Sequence, residues 1–571
     1  MRDGNITANG TATPTDWLAV DWPKANRLVR NLRARIFRAQ QTSNFKKLHS
    51  LQKLMLRCQA NRLVSVRRVT QQNAGSRTPG VDKMVVKTPK ARGHLVDELA
   101  KYPGWQAKPT RRVYIPKANG KRRPLGIPVI RDRALQAMVK NALEPSWEAR
   151  FEATSYGFRP GRSCHDAIAK IQLLARSNKT KQWVLDADIK GAFDNICHDY
   201  LLETLGPVPG RELIHQWLKA GYLTQIGTFH TPPSGTPQGG VISPLLLNIA
   251  LHGMEEALGV KYNSQGILTN TKRAVVRYAD DFVVFCQSQE DAEAAKAILH
   301  GWLAQRGLEY SQEKTKIGHL RQGFDFLGFN VRHYAAPKSS KTGWKLLIKP
   351  SKAAIHKLRT GLRQEWLKLR GQNVATVIGR LNPIIRGQAH YYRRGVASQI
   401  FHKLDYWMYQ RAVRYAKQTH PNKARKWLHQ RYWGRLNLDR ADNNVFGDKQ
   451  TGRYLLRYSW FPIEYPVIVR GRSSPDDPTL RDYWQKRRES GCKDLGPSRQ
   501  KVAIRQKGIC LVCRQTLFND EELHLHHNKP KAKGGTDAYR NLSLLHLYCH
   551  QQIHLARSHP LRLDKAGELE Q

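Results

Sequence analysis

Acidic residues are scarce in this chain. It carries 45 Asp and Glu against 96 Lys and Arg over 571 residues, a formal net charge of +51. No acid stands between Asp21 and Asp82, and between residues 336 and 438 only Glu365 and Asp405 do. A field of that sign needs a polyanionic partner, and nucleic acid is the obvious one. A run of about 18 apolar residues is also missing. The most apolar stretch, Gly240 to Ala250, is interrupted by Pro244, so no transmembrane helix and no membrane partner are expected. The N-terminus lacks the charged-then-apolar order of a secretory signal, and a cytoplasmic location is expected. Cysteine is sparse, at eight, which excludes a disulfide framework. Cys510, Cys513 and Cys549 gather near the end and suggest metal, while Cys58, Cys164, Cys197, Cys286 and Cys492 read as ordinary free thiols.

A chain of this length suggests about three to five structural units. From Lys24 to Arg68 basic residues recur among Val29, Leu32, Ile36, Leu51 and Leu54, the pattern of basic amphipathic helices. Asn73 to Ser76 and Thr78 to Gly80 carry loop signals. From Arg111 to about Arg332, β-branched runs alternate with helical ones, an α+β core. Beyond Ala336 the pattern becomes helical and basic with many aromatics. Gly471 to Pro475 and Gly496 to Ser498 read as linkers around a short basic module, and a Cys/His segment follows. No internal repeat is found.

Tyr278-Ala279-Asp280-Asp281 stands between two apolar, strand-like runs, and a second such run ends in acids at Asp186-Ala187-Asp188. Alone, an Asp-Asp pair is an ordinary charged turn. Carboxylates converging from two strands, however, suit divalent cations. In two-metal phosphoryl transfer one Mg2+ activates the attacking hydroxyl while the other holds the triphosphate and the leaving oxygen. Asp188 and Asp280 are the expected ligands, with Asp281 beside them.

Seven segments stand in an order that resembles reverse transcriptases: RRVYIPKANGKRRPLGIP (111–128), SYGFRPGRSCHDAI (155–168), DADIKGAFDNI (186–196), SGTPQGGVISPLLLNI (234–249), RYADDFVVF (277–285), GLEYSQEKTKI (307–317) and FDFLGF (324–329). The resemblance implies that Lys117 and Arg123 hold the triphosphate of an incoming dNTP, chemistry that a point charge and a planar fork suit. It implies that Phe193 blocks a ribose 2′ hydroxyl, so that the product is DNA. Pro237 to Gly240, with Gln238, would line the nucleotide pocket, and Lys314 would give a proton to the leaving pyrophosphate. Read without the resemblance, Phe193 is also an ordinary core aromatic and Lys314 a solvated lysine.

The flanks choose among such polymerases. NAGSRTPGVD (73–82) and LNPIIRGQAHYYRRGV (381–396) resemble group II intron-encoded proteins, whose maturase region binds the intron RNA and assists its splicing. The implied fold is an α+β multidomain chain: a right-hand polymerase of fingers and palm, a helical N-terminal extension, an α-helical thumb and a C-terminal ββα-metal HNH domain. The corresponding divisions are 1–95 for the extension, 96–335 for fingers and palm, 336–452 for the thumb, 453–505 for a DNA-binding region and 506–571 for the nuclease. Basic helices with interleaved aromatics fit RNA binding. Individually, Tyr391, Tyr392 and Trp407 read more naturally as helix-bundle core than as stacking platforms.

The end of the chain reads CLVC (510–513) and then ELHLHHNKPKAKGGTDAYRNLSLLHLYCHQQIH (522–554), an HNH pattern. By resemblance to HNH and colicin-type nucleases, His527 is the general base and Asn541 fixes the fold or orients that His. His526, His550 and His554 would hold the catalytic divalent ion, expected to be Mg2+. The spacing of His550 and His554 puts both on one side of a helix. Cys510 and Cys513 have the spacing of a structural zinc pair. The family's second pair is His546 and Cys549 here, leaving either a Cys₃His zinc site or a segment held by packing alone.

The expected partners are therefore a group II intron RNA, target double-stranded DNA and dNTPs, with the oligomeric state open. In the pathway that the resemblance implies, the intron reverse-splices into one DNA strand, the HNH domain cleaves the other, and the polymerase copies the intron from the new 3′ end.

Overall fold

The computed structural model describes residues 14–558, apart from 117–119, 121, 225, 232–233, 264–267, 270–271, 338–341 and 520. Three helices open it, Trp22–Gln41, Phe45–Arg57 and Gln59–Arg67. Asp21 and Asn44 cap the first two by accepting from the Lys24 and Lys47 amides, at 2.9 and 3.0 Å. Val29, Leu32, Ile36 and Leu51 turn inward as their spacing predicts, whereas Leu54 is exposed. The inward faces pack on helix Ile130–Glu148, which is buried along almost its whole length. Most of the arginines and lysines are left on the outside of this layer, where their charge stays solvated, but Arg33 and Arg67 turn inward.

Two sheets position the central chemistry. Strands Thr110–Pro116 and Arg122–Ile127 form an antiparallel hairpin that pairs Ile115 with Arg123. A separate antiparallel four-stranded sheet runs in the order Ala274–Tyr278, Asp281–Cys286, Trp183–Asp188, Lys316–His319. The facing of Ala274-Val275-Val276 against Phe282 to Phe285 appears as registered pairs, and these residues are fully buried. Asp188 and Asp281 lie at the strand ends, while Asp186 sits within its strand, paired with Val283 and Lys316.

A three-stranded sheet, 324–350, leads into helices Lys352–Lys368, Val374–Tyr392, Ser398–Thr419 and Arg425–Tyr432. Their aromatics are core: Trp366, Tyr392, Trp407, Tyr415 and Tyr432 are buried. Tyr391, half-buried, stacks on Phe329 and donates to the Leu327 carbonyl at 2.8 Å. Tyr406 and Trp427 keep exposed rings.

The two stretches with linker composition are structured. Ser474 and Asp476 are buried, and Asp476 takes a two-pronged bond from Arg33 of the first helix at 2.8 and 2.7 Å. Trp484 donates to the Ser474 carbonyl at 2.8 Å. Gly496-Pro497-Ser498 starts a helix, Pro497–Arg505, with proline in the first turn, where its missing N–H costs nothing. Turn-forming residues mark a change of direction, and here the change is made against the body of the protein. Among the described residues no helix is long and apolar enough to cross a membrane.

Candidate polymerase and nuclease sites

The central sheet brings Asp188, Asp280 and Asp281 together. Asp188 and Asp281 are directly opposed across the strand pair, and Asp280 sits in the two-residue turn, where Ala279 adopts φ 61°. Burial, then the charges of Asp186, Asp188 and Asp280, push the Asp281 carboxyl up to about 7. Asp186 is also pushed up to about 7, by burial and then by Asp325, and Asp280 rises through burial and the charge of Asp188. Carboxylates held this close resist ionising together. A divalent cation is the group that relieves such crowding, so the donor set fits hard-ion binding. Lys314 reaches in with Nζ 2.7 Å from Asp188 Oδ2.

The turn is held from behind by groups that sequence reasoning did not single out. The Arg277 guanidinium is 2% exposed and donates to Asn248 Oδ1 at 3.1 Å, with Glu152 Oε2 at 3.6 Å from its other nitrogen. Asn248 in turn donates to the Gly157 carbonyl at 2.9 Å. A Cβ at Gly157 would strike the backbone nitrogen of Ala279, so glycine is required for this close approach. Thr154 and Tyr156 bond the Arg277 backbone at 3.0 and 2.9 Å.

Of the candidate nucleotide residues, Arg123 and Gln238 meet: Arg123 Nε donates to Gln238 Oε1 at 3.0 Å. The Gln238 carbonyl accepts from Gly126 at 2.8 Å, tying the loop to the hairpin. Phe193 is buried, edge-on to the half-exposed Phe158 at 6.2 Å, and its carbonyl anchors Thr236 of the same loop. Lys117 lies outside the described residues.

At the C-terminal end, strands Leu523–His527 and Leu542–His546 pair antiparallel, and helix Leu547–Ser558 follows. Neighbouring strand residues point to opposite faces. His526 accordingly meets His550 and His554 of the helix, the three ligand nitrogens lying within 4.8 Å of one another. His527 points to the other side, where Asp537 Oδ1 lies 2.8 Å from its Nε2 and Lys531 holds the second oxygen of Asp537 at 2.7 Å. Asn541 bonds the backbone of Lys529 and Thr536, at 2.8 to 3.0 Å, and so pins the loop. Asp537, not Asn541, is therefore the side chain that touches His527. No spacing rule in the sequence marks an exposed acid in a glycine-rich loop.

Cys510, Cys513, His546 and Cys549 form a second, wholly buried cluster, their ligand atoms also within 4.8 Å of one another. His546 turns Nδ1 to the thiols, 3.4 Å from Cys513 Sγ and 3.9 Å from Cys549 Sγ. Its Nε2 lies 3.0 Å from the Thr516 carbonyl, which selects the tautomer whose free lone pair faces the sulfurs. Hydrogen bonds with Cys513 and Cys549 hold the Cys510 thiol far below its usual range. Three sulfurs and an imidazole around one point fit tetrahedral zinc.

Comparison with known proteins gives these sites a family. Residues 115–331 match the model "Reverse transcriptase (RNA-dependent DNA polymerase)" and residues 17–99 the "N-terminal domain of reverse transcriptase". Residues 355–433 match "Group II intron, maturase-specific domain" and residues 510–555 "HNH endonuclease". Protein YkfC of Escherichia coli is 37% identical over 317 residues, 49% of this chain and 82% of YkfC. The group II intron-encoded protein LtrA of Lactococcus lactis is 31% identical over 386 residues, 53% of this chain and 63% of LtrA. The acid-tipped sheet and these matches define a reverse transcriptase that also carries an HNH nuclease domain. The chain belongs to the group II intron-encoded reverse transcriptases, with a maturase domain and a C-terminal HNH endonuclease.

Proposed function

We propose that this chain binds its own group II intron RNA, assists its splicing, and then acts in target-primed reverse transcription in which its nuclease makes the primer. In this reading 96–335 forms fingers and palm, 336–452 the thumb, 1–95 a basic extension, 453–505 a DNA-binding region and 506–571 the nuclease. The observation that carries it is the convergence of Asp188, Asp280 and Asp281, with Lys314 at 2.7 Å from Asp188, in a chain that also holds an assembled His526, His550 and His554 cluster.

At the polymerase centre Asp188, Asp280 and Asp281 would hold Mg2+, which lowers the pKa of the primer 3′ hydroxyl and neutralises the triphosphate. Arg123 and Lys117 bind that triphosphate. The bonded pair of Arg123 and Gln238 sets the floor of the nucleotide pocket, and Phe193 closes it against a 2′ hydroxyl. Lys314 stands beside Asp188 to hand a proton to the departing pyrophosphate. At the nuclease centre His527, oriented by Asp537, takes the proton of the attacking water. His526, His550 and His554 would hold a divalent ion, which would supply charge stabilisation to the scissile phosphate and the leaving 3′ oxygen.

Copurifying the chain with nucleic acid from its host and sequencing what it carries tests the partnership. A structured intron surrounding the coding gene is the expected result, and a random RNA population would overturn it. A silent polymerase serving only as a splicing cofactor is disfavoured by the complete set of acids together with Phe193.

A further inference from the structure

The buried Cys/His cluster is not enclosed by the nuclease alone. Arg67, at the end of helix Gln59–Arg67, is 4% exposed and donates from Nη2 to Cys549 Sγ at 2.9 Å. Its guanidinium lies over the Trp22 ring, 4.4 Å from the centroid, and its Nε and Nη1 have no hydrogen-bond partner among the described residues. The following residues, Arg68–Gln72, coil into a π-helical turn, a local widening of the kind often found at functional sites. That turn brings Gln72 Nε2 to Glu521 Oε1 at 2.8 Å, and Glu521 Oε1 stands 3.8 Å from His546 Nδ1. Asn26 of the first helix donates to the Cys513 carbonyl at 2.9 Å. Helices from the start of the chain thus supply the outer wall of a cluster that begins more than four hundred residues later.

A guanidinium buried against an aromatic ring, with two nitrogens unpaired, is costly unless an anion faces it. The buried Glu521 carboxylate supplies part of that charge, but the atom Arg67 touches is a sulfur, which becomes a strong acceptor only as a thiolate. Three thiolates and a neutral imidazole around a divalent zinc leave one net negative charge, located on sulfurs that accept hydrogen bonds. Arg67 meets that charge directly. Outer partners of this kind orient metal ligands and adjust affinity for the ion.

We propose that Arg67 is a positioning residue of the zinc centre, so that metal binding in the nuclease and docking of the nuclease onto the N-terminal helices are one linked event. Each stabilises the other: zinc creates the anion that holds Arg67, and Arg67 holds the sulfurs in place. The consequence is a nuclease fixed to the polymerase body while zinc is bound and released from it when zinc is lost. The inference rests on the zinc reading of Cys510, Cys513, His546 and Cys549.

The test uses the full chain. Zinc content of the purified wild-type protein comes first, and a chain without stoichiometric zinc overturns both the metal reading and the linkage. Next, zinc is stripped from wild type with a chelator, and amide exchange is followed in residues 59–72 and 510–549. Linkage requires both segments to lose protection together. Faster exchange confined to 510–549 overturns the linkage and leaves the metal reading intact. Finally, zinc affinity is measured by chelator competition for Arg67→Met and Arg67→Lys. Arg67→Met is expected to bind zinc about ten- to a hundredfold more weakly, with partial recovery in Arg67→Lys. Unchanged affinity in Arg67→Met overturns the positioning role. Should Arg67→Met fail to fold, the exchange measurement on wild type decides alone.

Discussion

Asp188, Asp280 and Asp281 meet as carboxylates at the tips of antiparallel strands, whereas His526, His550 and His554 meet as imidazoles where a hairpin faces a helix. The two centres use opposite materials and need different support. Carboxylates brought together repel one another, and the structure holds them with Arg277, Asn248, Glu152 and Gly157 packed behind the turn. Imidazoles carry no obligatory charge, and the nuclease centre is built from its hairpin, the following helix and a loop that Asn541 pins. Hard oxygen ligands on a stiff sheet suit metal-assisted polymerisation. An open histidine cluster beside an oriented base suits hydrolysis of one phosphodiester.

The contrast is sharpest if each centre can be disabled alone. Asp280→Asn should lower RNA-templated dNTP incorporation by about a thousandfold or more, the several kcal/mol that metal-assisted charge stabilisation provides. DNA nicking should be untouched, and a parallel fall in nicking would break the separation. His527→Ala should cost about a hundred- to ten-thousandfold in nicking, with incorporation retained. Asp537→Asn, which loses the orienting charge but keeps the shape, should give a smaller nicking defect.

The support behind the acids offers a third point of comparison. Arg277→Met removes the guanidinium that bridges Asn248 and Glu152, while Glu152 keeps His252 at 3.2 Å and the Gly253 amide at 2.6 Å, so it should lower stability by about 1–3 kcal/mol, read as a shift of the urea midpoint. A shift no larger than that of an exposed arginine would mean that the turn does not depend on this scaffold. The last effect concerns pH. Burial, then the charge of Glu152, pushes the Glu255 carboxyl up to about 7. A raised carboxyl is protonated in the fold while still ionised in the unfolded chain. Its contribution is therefore complete below about pH 4.5 and is lost as pH rises toward 7. Glu255→Gln should flatten that decline, by on the order of 2 kcal/mol across the window, as followed by melting temperature at pH 5 and 7.

Some of this was readable in the sequence, for physical reasons that differ by residue. Two adjacent acids between apolar strand-like runs have no packing role, so Asp280 and Asp281 stand out. The imidazoles of His550 and His554 share a helix face, which fixes their spacing. Arg277, Asn248 and Gly157 act together only through the fold, and distant partners leave no local pattern. Arg67 is hidden among many basic residues of the extension, and only burial against Cys549 distinguishes it. Gly471 to Pro475 has the composition of an exposed linker, but the ion pair of Asp476 with Arg33 holds that stretch against the first helix. Tyr392 and Trp407 turn out to be core, so the net charge of the maturase-domain helices, not their average aromatic, is the better sign of a nucleic-acid partner.

The most direct test of two centres acting in sequence uses the ribonucleoprotein with the duplex DNA that its RNA specifies, following labelled dNTPs joined covalently to the cleaved strand. Wild type should give this product on intact duplex. His527→Ala should give it only on duplex nicked beforehand, and Asp280→Asn should nick but add nothing. Incorporation by Asp280→Asn, or failure of a supplied nick to restore His527→Ala, would contradict the account.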